Sequence, residues 1–189
     1  MNEKILLVGR NPTVLAQLAE ALLQEEYVVK TTNRVEQASQ EFNAADFDLI
    51  AFGRVVDEQT KVQLRTNFSG QNQNVFFVDG LAPVISLLVK QINVALLDNP
   101  IAEKVITDFR YKQTEVLHLF MSTSIDCQIT IDLYLLDAFH HTQHKTLVSE
   151  FVMAGHHTYQ IHDVPDTTST INFLIAEVAA LDLAVLTLH

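Results

Sequence analysis

The first half of the chain alternates short apolar runs with segments of helical spacing. Four apolar runs predict strands, over residues 4–8, 28–32, 47–52 and 75–78. Between and after them, apolar residues recur every three or four positions and predict helices over 13–26, 34–45, 57–67 and 83–97. Strands that alternate with amphipathic helices are typical of a parallel sheet with helices on both faces. We therefore predict a doubly wound α/β domain.

Local signals add detail to these boundaries. Asn11-Pro12 is a turn and helix-start signal, and Asn33 is a suitable N-cap for the helix over 34–45. The polar run 69–74 predicts a loop. The stretch 47–54 reads as a buried central strand that runs into a loop.

In the second half the period changes from 3.6 to 2. Between Cys127 and Leu135 every second residue is apolar, which predicts a half-buried antiparallel strand. Similar runs occupy 115–121, 146–153, 158–162, 171–177 and 183–188, and we expect 146–153 and 158–162 to pair around Gly155. Six short strands with turn signals favour an all-β antiparallel sandwich or barrel.

Composition and charge divide the chain at the same place. The chain has 189 residues, 48% hydrophobic and 19% charged, as in globular proteins. All eight histidines lie beyond residue 99. We predict an α/β domain over 1–98, a linker or short helix over 99–112, and a small all-β domain over 113–189.

The net charge of −11 argues against two classes of partner. Nucleic acids and anionic membranes both require clustered lysine and arginine, so we expect neither. The sequence has no apolar run near the roughly 20 residues of a membrane span and no secretion signal. A single cysteine, Cys127, fits a reducing compartment. We predict a cytoplasmic protein.

Residues 3–97 resemble the receiver domain of response regulators. Asp48-Leu49-Ile50 matches the start of that family's third strand, and the order of elements agrees. After the fourth strand the chain passes through Gly80 to Pro83 directly into what resembles the family's last helix. The resemblance therefore implies a truncated flavodoxin-like fold that lacks the fourth helix and the fifth strand.

The resemblance also locates the positions that carry the family's chemistry. The phosphoacceptor aspartate falls on Gly53, the two acidic metal ligands fall on Gly9 and Arg10, and the switch serine or threonine falls on Asp79 or Val78. Aspartyl phosphorylation needs a nucleophilic carboxylate and a divalent cation. We therefore expect no phosphorylation and no cofactor. Arg10 is expected to be a solvated loop residue, or to replace the cation in part by pairing with Asp79 or an external anion.

Other catalytic patterns fail on the residues. A dinucleotide site needs Gly-x-Gly-x-x-Gly after the first strand, and this loop is Gly9-Arg10-Asn11-Pro12. The sequence has no Gly-x-Ser-x-Gly motif. Cys127 lies on the apolar face of its strand, where a thiol would be inert.

The histidines offer a possible metal site. His140, His144 and one of His156 and His157 could bind zinc if their two loops met at one end of the β domain. The predicted hairpin places them one strand length apart. We therefore expect solvated histidines and no metal.

These observations favour a non-enzymatic signalling or scaffold protein. The run from Ile129 to Tyr159 resembles the strand–glycine–strand rhythm of immunoglobulin- or fibronectin-like sandwiches, which implies an interaction or dimerisation surface. A missing fifth strand would leave the fourth strand at an exposed sheet edge, so we expect a protein partner or a homodimer. Two alternatives stay open: a histidine-rich ligand- or metal-binding sensor, and a divergent enzyme with its site near Gly9, Arg10, Gly53 and Asp79.

Overall fold

The chain forms two compact units, Met1–Leu96 and Leu97–His189. The computed structural model describes residues 2–80, 84–96, 104–136, 142–165, 171–178 and 181–188. Within these ranges every helix is too short or too polar to cross a membrane. The two units are described separately below.

The described residues of the first unit form a four-stranded parallel sheet and four α-helices. Its elements are β1 (Lys4–Val8), α1 (Pro12–Gln24), β2 (Val28–Thr32), α2 (Ala38–Glu41), β3 (Leu49–Phe52), α3 (Glu58–Gln71), β4 (Phe76–Asp79) and α4 (Ile85–Leu96). The strand order is β2-β1-β3-β4, and all three pairings are parallel. The prediction of an α/β unit with a parallel sheet is confirmed.

Two apolar clusters fill the two faces of this sheet. On one face Ile5 and Leu7 of β1 pack with buried leucines of α1 and with Leu88 and Ile92 of α4. On the other face Leu6 and Val8 pack with residues of α2 and α3. Strands β1 and β3 are buried on both faces, which explains why their sequences are apolar without alternation. The carboxyl ends of the strands therefore meet at one edge of a rigid layer.

The helix starts follow local hydrogen bonding. Asn11 caps α1 through its side-chain oxygen, which accepts from the backbone N–H groups of Thr13 and Val14, and Pro12 opens the helix as the sequence predicts. The predicted helix over 34–45 is wrong. A 3₁₀ turn (Val35–Gln37) and one turn of α2 replace it, and a second 3₁₀ turn follows at Ala44–Asp46. Asn43 caps that second turn by accepting from the N–H of Ala45, a local bond that competes with a continuous helix.

One further boundary in this unit differs from the sequence prediction. The predicted loop over 69–74 begins too early, because α3 continues to Gln71. Helix α4 packs against α1, and Tyr27 donates a hydrogen bond of 3.0 Å to Asn93 across that contact.

The described residues of the second unit form seven antiparallel strands in two sheets. These are β5 (Ile106–Gln113), β6 (Leu117–Thr123), β7 (Cys127–Leu136), β8 (Thr142–Val152), β9 (Gly155–Ile161), β10 (Ile171–Val178) and β11 (Asp182–Leu188). The sheet orders are β11-β10-β7-β8 and β5-β6-β9. One apolar cluster contains residues of both sheets, including Leu119 of β6, Ile131 of β7 and Leu174 of β10. The prediction of a β-rich second part is confirmed.

Two predictions about this unit are wrong. The linker or short helix expected over 99–112 overlaps β5, which begins at Ile106. The hairpin expected between 146–153 and 158–162 does not form, because β8 pairs with β7 whereas β9 pairs with β6. The chain instead passes from one sheet to the other at Gly155, whose φ of +140° favours glycine.

Candidate functional site

Three glycines end three neighbouring strands of the first unit. Gly9 follows β1, Gly53 follows β3, and Gly80 follows β4. Each continues the sheet by one hydrogen bond: Gly9 N–H donates to Thr32 O (3.1 Å), Gly53 N–H to Val8 O (2.8 Å) and Gly80 N–H to Phe52 O (2.8 Å). We call this end of the sheet the carboxyl edge. Two of the predicted site positions, Gly9 and Gly53, lie at this edge, where their backbone N–H groups take part in the hydrogen bonding of the sheet.

The backbone segments that follow β1 and β3 lie close together at this edge. A Cβ built on Gly53 would lie 3.3 Å from the Cα of Gly9, and one built on Gly9 would lie 3.4 Å from a methyl group of Leu15. Both distances are at the tight end of carbon–carbon contacts. Gly53, which the resemblance predicts at the phosphoacceptor position, therefore has little room for a side chain.

Arg10 lies between two carboxylates. Its guanidinium is 2.6 Å from Glu36 Oε1 and 3.6 Å from Asp57 Oδ2. The hydrogen bond from Arg10 is the largest cause that lowers the pKa of Glu36. Arg10 is an exposed loop residue, as expected, but it does not pair with Asp79. It joins the loop after β1 to the segment after β2 and to the start of α3.

Asp57 is hydrogen-bonded to the first turn of α3. Its carboxylate accepts from the backbone N–H of Thr60 (2.9 Å) and from the Thr60 hydroxyl (2.8 Å), which makes it the N-cap of the helix. The Thr60 backbone N–H is the largest cause that lowers the pKa of Asp57. An ionised carboxylate at a helix N-terminus is stabilised by the unpaired N–H groups there.

Asp79, the fourth predicted position, is held by two cations of α3. Arg65 donates a hydrogen bond of 2.7 Å to Asp79 Oδ2, and Lys61 Nζ lies 3.7 Å from Oδ1. The second distance exceeds a hydrogen bond, so Oδ1 is held by charge alone. The guanidinium of Arg65 also lies over the stacked rings of Phe52 and Phe77, 5.7 and 5.5 Å from their centroids. Lys61 itself is buried and donates to Glu58.

Two of the four predicted positions thus lie in separate clusters. Arg10 belongs to one with Glu36 and Asp57, and Asp79 belongs to another with Lys61 and Arg65. Every carboxylate of these two clusters is paired with an arginine or a lysine. A magnesium site uses carboxylate oxygens and water. In the described residues no group of three or more histidine, cysteine, aspartate or glutamate side chains is placed to hold a metal ion.

Asp48, the first residue of the Asp-Leu-Ile match, lies at the opposite end of its strand. Its backbone N–H donates to Lys4 O (2.8 Å), and its carboxylate accepts from the Lys4 N–H (2.7 Å). Asp48 therefore closes the amino end of the β1–β3 pair and takes no part at the carboxyl edge.

The candidate zinc ligands lie apart. His144 is near the start of β8, about 26 Å from the end of that strand where His156 and His157 follow. His144 Nε2 is 3.1 Å from the buried carboxylate of Asp132. His156 shares a hydrogen bond of 2.6 Å with Ser122, and His157 Nε2 is 2.9 Å from Met153 O. His140 lies outside the described residues. His144, His156 and His157 thus bond to neighbouring strand and turn residues.

Cys127 is buried on the core side of β7, as its alternation predicts. Burial is the largest cause that raises the pKa of its thiol. A thiol in such a place stays protonated at neutral pH and is a poor nucleophile.

Sequence reasoning missed four residues of the two clusters: Glu36, Asp57, Lys61 and Arg65. One signal was present, since Asp57 precedes a helix and is followed three positions later by Thr60. The pairs themselves join residues that lie 14 to 47 positions apart, which only the folded sheet brings together.

Comparison with known proteins gives little help. Neither a protein-family model nor a curated protein matches the chain at a significant level. Among solved structures a likeness is found to the Pseudomonas fluorescens alkylpurine DNA glycosylase AlkC bound to DNA containing an abasic site analog, at 10% identity and a TM-score of 0.27. The match covers 72% of this chain and 49% of that one, so the chain spans about half the length of that protein. At that TM-score the likeness carries no weight for fold or function.

Proposed function

We propose that this protein is a non-enzymatic signalling or scaffold protein whose first unit is a receiver-like interaction domain that works without phosphorylation. The strand order β2-β1-β3-β4 supports this reading, because flavodoxin-like receivers have the order 2-1-3-4-5. The first unit looks like that fold without its last strand. Helix α4 packs on α1, the place expected for the final helix of such a fold.

The observation that carries the proposal is the position of Arg10. In a receiver, a divalent cation and a phosphoryl group bring the loops at the carboxyl edge together. Here an arginine joins three of those segments through Glu36 and Asp57. A cation that is part of the chain needs no phosphate donor, so these contacts can form without phosphorylation.

The second unit supplies the other half of the proposal. Seven strands in sheets of three and four around one core look like an immunoglobulin- or fibronectin-like sandwich. Such sandwiches commonly carry binding surfaces on a scaffold without chemistry of its own. We infer an interaction or dimerisation role for it.

Self-association through β4 is part of the proposal. β4 is the outermost strand of its sheet in the described chain, and Phe76 on it is 56% exposed. The backbone groups of Phe77 face away from β3, since Phe76 and Gly80 donate toward it. Antiparallel pairing of two copies about Val78 would place the exposed Phe76 ring beside Gly80 of the second copy, where no side chain competes for the space.

Acetyl phosphate labelling in Mg²⁺ tests the first part. We expect no acid-labile phosphate on the wild-type protein. We also expect none on Gly53→Asp, because the metal-ligand positions are still Gly9 and Arg10. Stoichiometric labelling of the wild-type protein would overturn the proposal.

Sedimentation velocity tests the second part. We expect the wild-type protein to dimerise as its concentration rises, and Phe76→Lys to stay monomeric because it places a charge on the pairing edge. Val62→Lys is the matched control, since Val62 is an exposed valine of α3 outside the strand. A wild-type protein that stays monomeric at high concentration removes the dimer and leaves the first part standing.

A further inference from the structure

The other edge of the same sheet, β2, is also open. Val28 N–H donates to Glu3 O, and Thr32 O accepts from Gly9 N–H, so residues 28, 30 and 32 direct their backbone groups toward β1. The backbone groups of Val29 and Thr31 consequently face outward. Within the described chain nothing bonds to them. β2 therefore presents two residues of unpaired strand backbone.

A cleft of about 290 Å³ lies at the carboxyl end of this edge. Pro12, Leu15 and Ala16 of α1 form one wall, and Phe42 lies among the opposite lining residues. Thr31 lies between them and is exposed. The predicted site positions Gly9, Arg10, Gly53 and Asp79 do not line this cleft, so it is separate from the clusters described above.

The side chain of Lys30 places a positive charge beside the cleft. Lys30 lies in the middle of β2 and is exposed, and it makes no ion pair with any described residue. Arg34 at the rim is already paired with Glu41 at 3.0 Å. Because neighbouring strand residues point to opposite faces, Thr31 faces α1 whereas Lys30 faces the side of α2.

We propose that β2 and its cleft bind an extended, acidic segment of a partner protein by strand addition. The segment pairs its backbone with Val29 and Thr31. Its residue opposite Thr31 places an apolar side chain in the cleft, and the neighbouring residue opposite Lys30 supplies a carboxylate. Backbone pairing provides affinity in such complexes, and alternate side chains provide specificity. The inference rests on the interaction role proposed above and names the chemistry of the partner.

The register that would pair both outward residues of β2 with those of a second copy is unfavourable. Antiparallel pairing of two β2 strands through their outward residues places Val29 opposite Thr31 and Lys30 opposite Lys30. Like charges directly opposite one another destabilise a strand pair. A lysine in an edge strand is also a common protection against self-pairing. The same lysine attracts a carboxylate, which favours an acidic partner.

The test uses the full-length protein and synthetic peptides. The probe is an eight-residue peptide of threonine and valine with a central glutamate–leucine pair, and its controls replace the glutamate by lysine or the leucine by glycine. Binding is followed by amide chemical shifts and hydrogen exchange. We expect protection of the Val29 and Thr31 amides with the glutamate–leucine peptide and weaker binding of both controls.

Two variants separate the backbone from the charge. Lys30→Glu is expected to weaken the glutamate peptide by about fivefold and to strengthen the lysine peptide. Thr31→Pro removes only an outward N–H, so it leaves the bonds to β1 intact and is expected to weaken binding by about fivefold. Lys112→Glu makes the same charge change in the second unit and is expected to have no effect.

Several outcomes would overturn the inference. These are no protection of Val29 and Thr31 at millimolar peptide, equal binding of the glutamate and lysine peptides, or shifts confined to β4. Protection of the β2 amides by rising protein concentration without peptide would identify a second copy as the occupant instead. Phosphate labelling reports separately on the role proposed for the first unit, so the two failures are distinguishable.

Discussion

Replacing Gly80 by alanine tests how tightly the carboxyl edge is packed. A Cβ at this position would lie 2.9 Å from Leu88 Cδ2 and 3.2 Å from the carbonyl oxygen of Phe52. Leu88 can turn away, but the carbonyl accepts the Gly80 N–H and is held in the sheet. Adding a methyl group to a packed site costs about 2 kcal/mol. The reduced freedom of the unfolded chain returns about 0.7 kcal/mol. We expect a net loss of about 1 kcal/mol.

Gly70→Ala is the matched control for this substitution. Gly70 lies in the last turn of α3, and a Cβ there would meet nothing within 4 Å. Alanine is the better helix former, so we expect this variant to be about 0.5 kcal/mol more stable than the wild type. Circular dichroism at 222 nm during urea unfolding measures both, because all described helices lie in the first unit. A Gly80→Ala protein as stable as Gly70→Ala would refute the packing described for the carboxyl edge.

Three further results are expected. First, Glu36 has a pKa below its ordinary value of 4.5, so the Arg10–Glu36 pair contributes to the free energy of unfolding above that pH, and this contribution is lost as the pH falls. Arg10→Gln should therefore reduce the fall in the free energy of unfolding at acid pH. An unchanged fall would contradict the pairing. Second, Asp182 Oδ2 accepts a hydrogen bond from the N–H of Ile106 (2.8 Å), which joins the edges of the two sheets of the second unit. Asp182→Ala should lower the free energy of unfolding, measured in urea, by about 1–3 kcal/mol. Asp182→Asn keeps an acceptor and should lower it less. Third, Cys127 should react with a thiol reagent at the rate of global unfolding, and fast labelling of native protein would show that β7 opens locally.

The sheet of the first unit was predictable because its signals are local. Strand β1 is apolar without alternation, and Asn11-Pro12 marks the helix start directly after it. The pairs made by Arg10 and Asp79 were not predictable, since each depends on how far α3 and the segment after β2 lie from the carboxyl edge. The sequence indicated neither Glu36 nor Asp57 as a partner of Arg10, and Asp79, the partner it offered, is paired with Arg65.

The error over β5 has a specific cause. The register between β5 and β6 shifts between Ile106 and Asp108, so one residue is inserted and the buried positions Ile106 and Phe109 lie three apart. A spacing of three is also compatible with a helix, so the alternation typical of a strand is interrupted here. The error over β8 and β9 is different. Alternation identifies a strand but not its partner, and the partner is decided by packing between distant segments.

The two edges of the parallel sheet differ in the charge of their exposed side chains, which decides what can pair with them. β4 carries the exposed aromatic residue Phe76, and its carboxylate Asp79 is neutralised by Arg65. β2 carries Lys30, which no described residue neutralises. If two copies pair through β4, the resulting eight-stranded sheet ends in a β2 strand on each side. Each dimer would then offer two identical clefts to acidic segments. A partner with two such segments would bind far more tightly than one with a single segment, provided that its linker spans the sheet.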